Sequence, residues 1–326
     1  MELKKVLLIG GSGFVGGWIA NRLSERGIRV TIPTRRRDNT KQLILLPTVY
    51  MEEADVNDPQ VLASLMDGVD AVINLVGILH DSDSSQPYGK RFAAAHVELP
   101  RKIIAAMQQT GVRRLVHMSA LGAATDAPSA YLRSKAEGEA AVCAAMNATG
   151  AHEGSIDVTV FRPSVIFGPG DSFLNTFASL LRLLPMLPLA GGSARFQPVY
   201  VGDVADAFAE SLTDRATFGQ IYELCGPKVY SLRELVEYTG KLIGRRRPIV
   251  DLPNGPANLL ARIMGLLPNP PMSPDNLRSM EKDNVTDGLR NYPGWQPRSL
   301  EAAAPGYLSA VRPKMRYDNY RCRAGR

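Results

Sequence analysis

Val6-Leu7-Leu8-Ile9-Gly10-Gly11-Ser12-Gly13-Phe14-Val15-Gly16 is the stretch on which the reading of this 326-residue chain turns. The apolar run Val6–Ile9 predicts a buried strand, and Trp18, Ile19, Ala20 and Leu23 continue it, past the glycines, as an amphipathic helix. A strand, a glycine turn and a helix in that order aim backbone N–H groups and the positive end of a helix dipole at one spot, which suits a pyrophosphate. Gly10, Gly13 and Gly16 have the spacing G-x-x-G-x-x-G rather than G-x-G-x-x-G. The demands are the same: a tight turn, close approach of backbone to ligand, and a helix packed on its strand. Dinucleotide binding is expected, with Gly10, Gly11, Ser12, Gly13, Phe14, Val15 and Gly16 in contact; a turn built only for packing is the competing reading.

Working outward, the length suffices for one large α/β domain or a domain with a smaller lobe. Cys143, Cys225 and Cys322 lie far apart with no C-x-x-C pair, so neither a disulfide framework nor a zinc site is indicated, and a cytoplasmic protein is expected. Met1 runs almost directly into the first strand, which argues against a signal peptide, and no uncharged apolar run reaches about 18 residues. The net charge of +6 is concentrated late: seven basic and two acidic residues follow from Arg298 onward.

Strand-like and helix-like segments alternate along the chain, the pattern of a doubly wound parallel sheet of Rossmann type. Arg29–Ile32 predicts a second strand, ending in Pro33-Thr34-Arg35-Arg36-Arg37. In this architecture the residue at that end meets the adenosine ribose: a carboxylate selects NAD, whereas arginine accommodates a 2′-phosphate. No acid lies within that strand end and Asp38 comes late, so Thr34, Arg35 and Arg36 point to NADP(H), with NAD(H) as the lesser partner and a solvated basic loop as the alternative. A third strand is predicted over Tyr50–Val56, with Asp55 and Val56 beside the adenine or Asp55 as a helix cap. Asp70–Gly77 reads as a fourth strand whose end, Leu75, Val76 and Gly77, lies where a cofactor would cross the sheet edge. A helix follows from about Phe92 to Thr110, closed by Gly111.

The next strand, Arg114–Ser119, brings Met118 and Ser119 to the same edge, and twelve residues later comes Tyr131-Leu132-Arg133-Ser134-Lys135. Tyr131 and Lys135, four apart on a helix, share a face. A free tyrosine has a pKa of about 10, too high for a base at neutral pH. An ammonium about 4 Å away, at an effective dielectric of about 20, is worth up to about 4 kcal/mol, equivalent to roughly three pKa units. Ser119 would then hold the reacting oxygen while Tyr131 exchanges its proton and the nicotinamide handles hydride.

Together these motifs resemble the extended short-chain dehydrogenase/reductase superfamily. Phe161-Arg162-Pro163-Ser164-Val165-Ile166-Phe167-Gly168-Pro169-Gly170 resembles its sixth strand and nicotinamide-side loop, which implies cofactor contacts from Arg162, Pro163, Ser164 and Val165. Tyr222–Pro227, Ser231–Leu235 and Met272-Ser273-Pro274-Asp275-Asn276 resemble an atypical branch, that of the alpha-subcomplex subunit 9 of respiratory complex I and its bacterial relatives. The chain departs from sugar-nucleotide epimerases in two places. Met118–Ala123 lacks their Ser/Thr-rich signature, and Ala95-His96-Val97 stands where the superfamily's relay asparagine is expected. His96 is either its substitute or a helix-surface or cofactor-side histidine, and the four histidines have no metal-ligand spacing.

The resemblance implies a Rossmann domain from residues 1–170 and 196–224, a smaller discontinuous substrate lobe from 171–195 and 225–311, and a basic tail, 312–326. Phe173–Leu189 reads as a helix and loop lining a substrate cleft, and Leu259–Pro268 as an amphipathic helix used mainly for core packing. Nothing suggests nucleic-acid binding. Two functions compete: a carbonyl/alcohol oxidoreductase using NADP(H) with Ser119, Tyr131 and Lys135, and a non-catalytic NADPH-holding accessory of a respiratory complex or of quinone metabolism. The tail's six basic residues and two tyrosines would give a peripheral contact with a membrane or complex, or a disordered end.

Overall fold

The computed structural model describes residues 3–36, 43–83, 85–146, 155–265 and 272–309; Arg37, Asp38 and the basic tail lie outside them. The first half runs β1 (Lys5–Ile9), α1 (Phe14–Glu25), β2 (Arg29–Thr34), β3 (Val49–Glu53), α2 (Pro59–Leu65) and β4 (Ala71–Asn74). A helical stretch follows, α3 (Lys90–Phe92) leading through a π-helical segment (Ala93–Glu98) into α4 (Leu99–Thr110), and then β5 (Arg114–Met118), α5 (Ala130–Ala144) and β6 (Asp157–Pro163). Next come β7 (Ile166–Phe167), α6 (Leu174–Leu183), β8 (Leu187–Ala190), β9 (Arg195–Phe196), β10 (Val199–Tyr200), α7 (Val201–Ser211) and β11 (Gln220–Leu224). The described chain closes with β12 (Tyr230–Ser231), α8 (Leu232–Leu242), β13 (Ile249–Leu252), α9 (Asn254–Met264), α10 (Pro274–Ser279), α11 (Leu300–Ala303) and α12 (Pro305–Leu308).

Seven parallel strands form the central sheet in the order β11-β6-β5-β4-β1-β2-β3. Val6 and Leu8 of β1 point to the face covered by α1 and α7, where Ile19, Leu23 and Phe208 pack. Leu7 and Ile9 point to the opposite face, against Leu62, Ile103 and Val142 of α2, α4 and α5. Both faces are apolar, so a one-residue slip of β1 would cost little in polarity; the glycine turn fixes the register instead. A Cβ on Gly11 would lie 2.9 Å from Ile32 and Leu8 side-chain carbons.

Chain direction reverses between β1, whose next strand lies to one side, and β4, whose next strand lies to the other. Such a switch point opens a crevice at the carboxyl ends of the strands. The turn after β1 and Leu75–Gly77 after β4 are its two walls.

Several boundaries differ from the sequence expectation for identifiable reasons. β4 stops at Asn74 because the Asn74 Oδ1 accepts the Val76 N–H at 3.1 Å, curling Leu75–Gly77 out of the sheet. The helix expected from Phe92 is π-helical over Ala93–Glu98. Pro100 has no N–H to return to the His96 carbonyl four residues earlier, which leaves that carbonyl for other neighbours. Asp58, not Asp55, caps α2, accepting from the Gln60 and Val61 N–H groups. Within α9, Ala257 and Ala261 are buried and Leu260 and Met264 half-buried while Leu259 and Ile263 stand 61% and 58% exposed, so the helix packs on one side only; the expected end of the segment, residues 266–268, lies outside the described residues.

Outside the sheet, Phe167, Leu174, Leu181, Leu189, Leu235 and Leu300 belong to a separate buried cluster formed by α6, β8, α8 and the last short helices. Helix α10 touches α5 directly, which brings a distant part of the sequence to the candidate site.

Candidate active site

The turn after β1 is drawn tight by the Gly11 N–H to Leu8 C=O and Gly13 N–H to Gly10 C=O bonds, 3.2 and 3.1 Å. Gly10 sits at φ +84°, and a Cβ there would press on the Val76 nitrogen at 3.1 Å. A Cβ on Gly16 would come within 2.5 Å of the Gly11 Cα, so α1 rests directly on the turn. No side chain caps the start of α1 at Gly13 and no acid lies in its first turn, so its leading N–H groups face outward uncompensated. Ser12, Phe14 and Val15 lie on this turn and first helical residues, and Gly170, from the loop after β7, approaches Phe14.

At the end of β2 the Thr34 hydroxyl is not free. It donates to the Arg36 carbonyl at 3.0 Å and accepts the Arg36 N–H at 3.3 Å, curling the loop so that Arg35 and Arg36 are exposed. Neither arginine makes an ion pair with a described residue. Asp55 is exposed in the turn after β3, where one oxygen accepts the Asn57 N–H and side-chain amide; these bonds hold its carboxyl below the usual range. Val56 packs on the α2 side of the sheet.

Across the crevice, the walls converge. A Cβ on Gly77 would lie 3.7 Å from His96 Nε2 and 3.9 Å from Lys135 Nζ. Lys135 donates to the Met118 carbonyl at 2.6 Å, which ties α5 to the end of β5 beside Ser119. Burial pushes the ammonium down to about 8, against the opposing pull of Glu139. Tyr131 lies one turn earlier on the same face of α5, its ring in edge contact with Phe92 and His96 at centroid distances of 6.2 and 5.6 Å. Burial pushes the Tyr131 phenol up to about 12. The Tyr131 phenol is therefore not lowered in the free protein as expected, because Lys135 is turned to a carbonyl and burial disfavours the phenolate. The Ser119 hydroxyl is buried and has no hydrogen-bond partner, one of two such orphans among the described residues.

His96 is neither on the helix surface nor a charge relay; it is 2% exposed with both ring nitrogens engaged. The Ile78 N–H donates to Nε2 at 3.0 Å, which puts the ring proton on Nδ1, and Nδ1 donates to Ser134 Oγ at 2.8 Å. Ser134 in turn donates to the Tyr131 carbonyl at 2.8 Å. Burial first, then the Lys135 charge, brings the imidazole down to about 2, so it stays neutral and pins the β4 loop to α5. The His96 carbonyl faces Gly138, where a Cβ would stand only 1.8 Å away.

The residues of the nicotinamide-side loop are held by neighbouring elements. Arg162 forms a two-pronged pair with Glu139, its Nε donating at 2.9 Å. Pro163 accepts from the Leu121 N–H, and both the Ser164 hydroxyl and the Val165 N–H donate to Asn284 Oδ1, at 2.6 and 3.2 Å.

Asn284, Gly138 and Glu139 were not singled out from the sequence, and Asp275 stood there only within a motif of resemblance, with no contact assigned to it. Asp275 of α10 accepts the Ala130 and Tyr131 N–H groups at 2.8 and 2.9 Å, capping α5 where Tyr131 begins it, and Gly138 and Glu139 seat that helix. No local signal could have found them, since each partner lies tens of residues away, 145 in the case of Asp275 and Ala130.

The residues present fit a dinucleotide on two observations: a glycine cradle that any Cβ would fill, and a buried serine hydroxyl without a partner at the far end of the same crevice. The NAD dependent epimerase/dehydratase family model matches residues 6–225. The chain is 29% identical to the mitochondrial NADH dehydrogenase (ubiquinone) 1 alpha subcomplex subunit 9 of Arabidopsis thaliana, over 96% of this chain and 82% of that protein. It is 27% identical to the 3 beta-hydroxysteroid dehydrogenase/Delta 5→4-isomerase of Mycobacterium tuberculosis, over 78% and 74%. Among solved structures, the dTDP-glucose 4,6-dehydratase DesIV of Streptomyces venezuelae with NAD and TYD bound superposes with TM-score 0.71 at 20% identity, covering 93% of this chain and 95% of that one. MoeE5 in complex with UDP-glucuronic acid and NAD superposes with TM-score 0.63 at 22% identity, covering 76% and 85%.

Proposed function

We propose that this chain, which belongs to the NAD-dependent epimerase/dehydratase family, reduces a small-molecule carbonyl to an alcohol at the expense of NADPH. The Ser119 hydroxyl carries the reading. Keeping a hydroxyl dry and unpartnered costs about 1–3 kcal/mol, which a substrate oxygen would relieve. Bound NADPH supplies the hydride. Ser119 holds the carbonyl oxygen, and Tyr131 donates its proton to that oxygen as C=O becomes CH–OH. A phenol at about 12 is protonated at neutral pH, the form that donates. Lys135, charged below about 8, then returns a proton to the phenolate.

Arg35 and Arg36 support the choice of NADP(H) over NAD(H). A charge-assisted hydrogen bond is worth about 1.5–3 kcal/mol, so replacing both by alanine should erase a preference on the order of tenfold or more, read by calorimetric titration with NADPH and NADH. The substrate reading is tested with NADPH carrying deuterium at the transferable position and a panel of ketones, aldehydes and quinone-related carbonyls. Deuterium should appear in an alcohol product, and Tyr131→Phe should lose it while still binding NADPH.

A second reading is favoured by the 96% coverage against complex I alpha subcomplex subunit 9 proteins: a chain that holds NADPH as an accessory of a respiratory complex without turnover. NADPH that binds, is released intact and transfers deuterium to no carbonyl in the panel would replace the first reading with this one.

A further inference from the structure

We propose that the face formed by the α6–β8 connection, β13 and α9 docks peripherally on an anionic phospholipid bilayer. Half of the ten large apolar side chains left exposed among the described residues stand on these elements. They are Leu183, Met186, Val250, Leu259 and Ile263, with Leu183 80% exposed. The elements are contiguous: β13 pairs with β8 from Ile249↔Leu187 to Leu252↔Ala190, and α9 contacts both strands. Leu259 and Ile263, four apart, project from one side of α9, while Ala257 and Ala261 hold its other side to the protein. Scattered exposed apolar residues need no explanation, but a group on adjoining elements does.

Charge supplies the identity of the occupant. Arg182, Lys241, Arg245, Arg246 and Arg262 are exposed on the same elements or their flanks, and none makes an ion pair with a described residue. Arg247 reaches across to the Leu181 carbonyl at 3.4 Å, which places the 245–247 run beside the end of α6. The nearby acids Asp251 and Glu237 are both engaged by Arg233, at 2.6 and 3.6 Å, so the basic side chains are left to face outward. A cleft of about 400 Å³ among Lys241, Arg246, Arg247, Leu181 and Ile249 adds a recess into which a phosphate headgroup fits; Glu234 and Glu237 also border it. Of these two, Glu234 is occupied by the α8 cap. Apolar side chains ringed by unpaired arginines match acyl boundary and anionic headgroups together, which neither a neutral surface nor a purely acidic protein would satisfy. No helix among the described residues is long and apolar enough to cross a membrane, so the contact is peripheral.

The test is co-sedimentation of the full chain with vesicles of phosphatidylglycerol and phosphatidylcholine, against phosphatidylcholine alone, at about 0.1 M salt, where screening extends only about 10 Å. Arg245→Glu with Arg246→Glu, Leu259→Glu with Ile263→Glu, and truncation after Val311 are compared, each variant being checked for retained NADPH binding or circular dichroism. Binding should require the anionic lipid, and each pair of substitutions should weaken partitioning at least about tenfold. Three results would overturn the proposal: equal binding to both vesicles, wild-type partitioning by both pairs, or loss on tail truncation alone. A fourth would be a self-associating chain whose association, not lipid binding, is abolished by Leu259→Glu with Ile263→Glu, since the face would then belong to a second copy.

Discussion

Lys135→Met should stabilise the cofactor-free protein near neutral pH, although it removes a residue from the proposed reacting set. The Lys135 side chain is 4% exposed, and burial brings its ammonium from 10.5 to about 8. That gap corresponds to about 3 kcal/mol by which folding disfavours the charged form. The lost charge-assisted hydrogen bond to the Met118 carbonyl offsets about 2 kcal/mol, leaving a net gain of about 1 kcal/mol. For a chain of this length that is a rise of about 1.5 °C in Tm. The pH dependence distinguishes this origin from better packing. Between about 8 and 10.5 the unfolded chain keeps a proton that the folded chain has released, so wild-type stability rises with pH across that window. The advantage of the methionine variant should therefore be full below about pH 8 and shrink above it. Urea unfolding of both proteins at pH 7 and pH 9.5 measures this directly. A variant less stable than wild type at pH 7, or an advantage that does not shrink, would refute the reasoning.

Ser119→Ala should raise the stability of the cofactor-free protein by about 1 kcal/mol, because it deletes a buried hydroxyl with no partner, while slowing carbonyl reduction; paired thermal melts and deuteride-transfer assays report the two effects. In contrast, Gly138→Ala should destabilise by about 2 kcal/mol or more in urea unfolding, since the new Cβ would stand 1.8 Å from the His96 carbonyl and backbone cannot yield as a side chain can.

What could be read from the sequence alone was whatever depends on near neighbours. Val6–Ile9 followed by glycines at 10, 13 and 16 specifies a buried strand, a turn and a helix, because each requirement is met within about a dozen residues. The alternation that makes a parallel sheet and the placement of Tyr131 and Lys135 on one face of α5 follow from local periodicity of the same kind. Gly111, at φ +76°, closes α4 where a left-handed residue was expected.

Whatever depends on who lies opposite was decided only by the tertiary structure. The Lys135 ammonium sits at the Met118 carbonyl instead of lowering the Tyr131 phenol, and Arg162 turns to Glu139, because these partners meet only when α5 settles on β5 and β6. His96 was expected as a substitute for the relay asparagine or as a helix-surface or cofactor-side histidine, and only the packed structure shows the Ile78 N–H and Ser134 closing around it beside Gly77 and holding it neutral. Asp275 and Asn284 reach α5 and the loop after β6 from far along the chain. Spacing determines which face of an element a side chain occupies, but burial, charge and hydrogen-bond partners belong to the packed neighbours, and no local pattern encodes those.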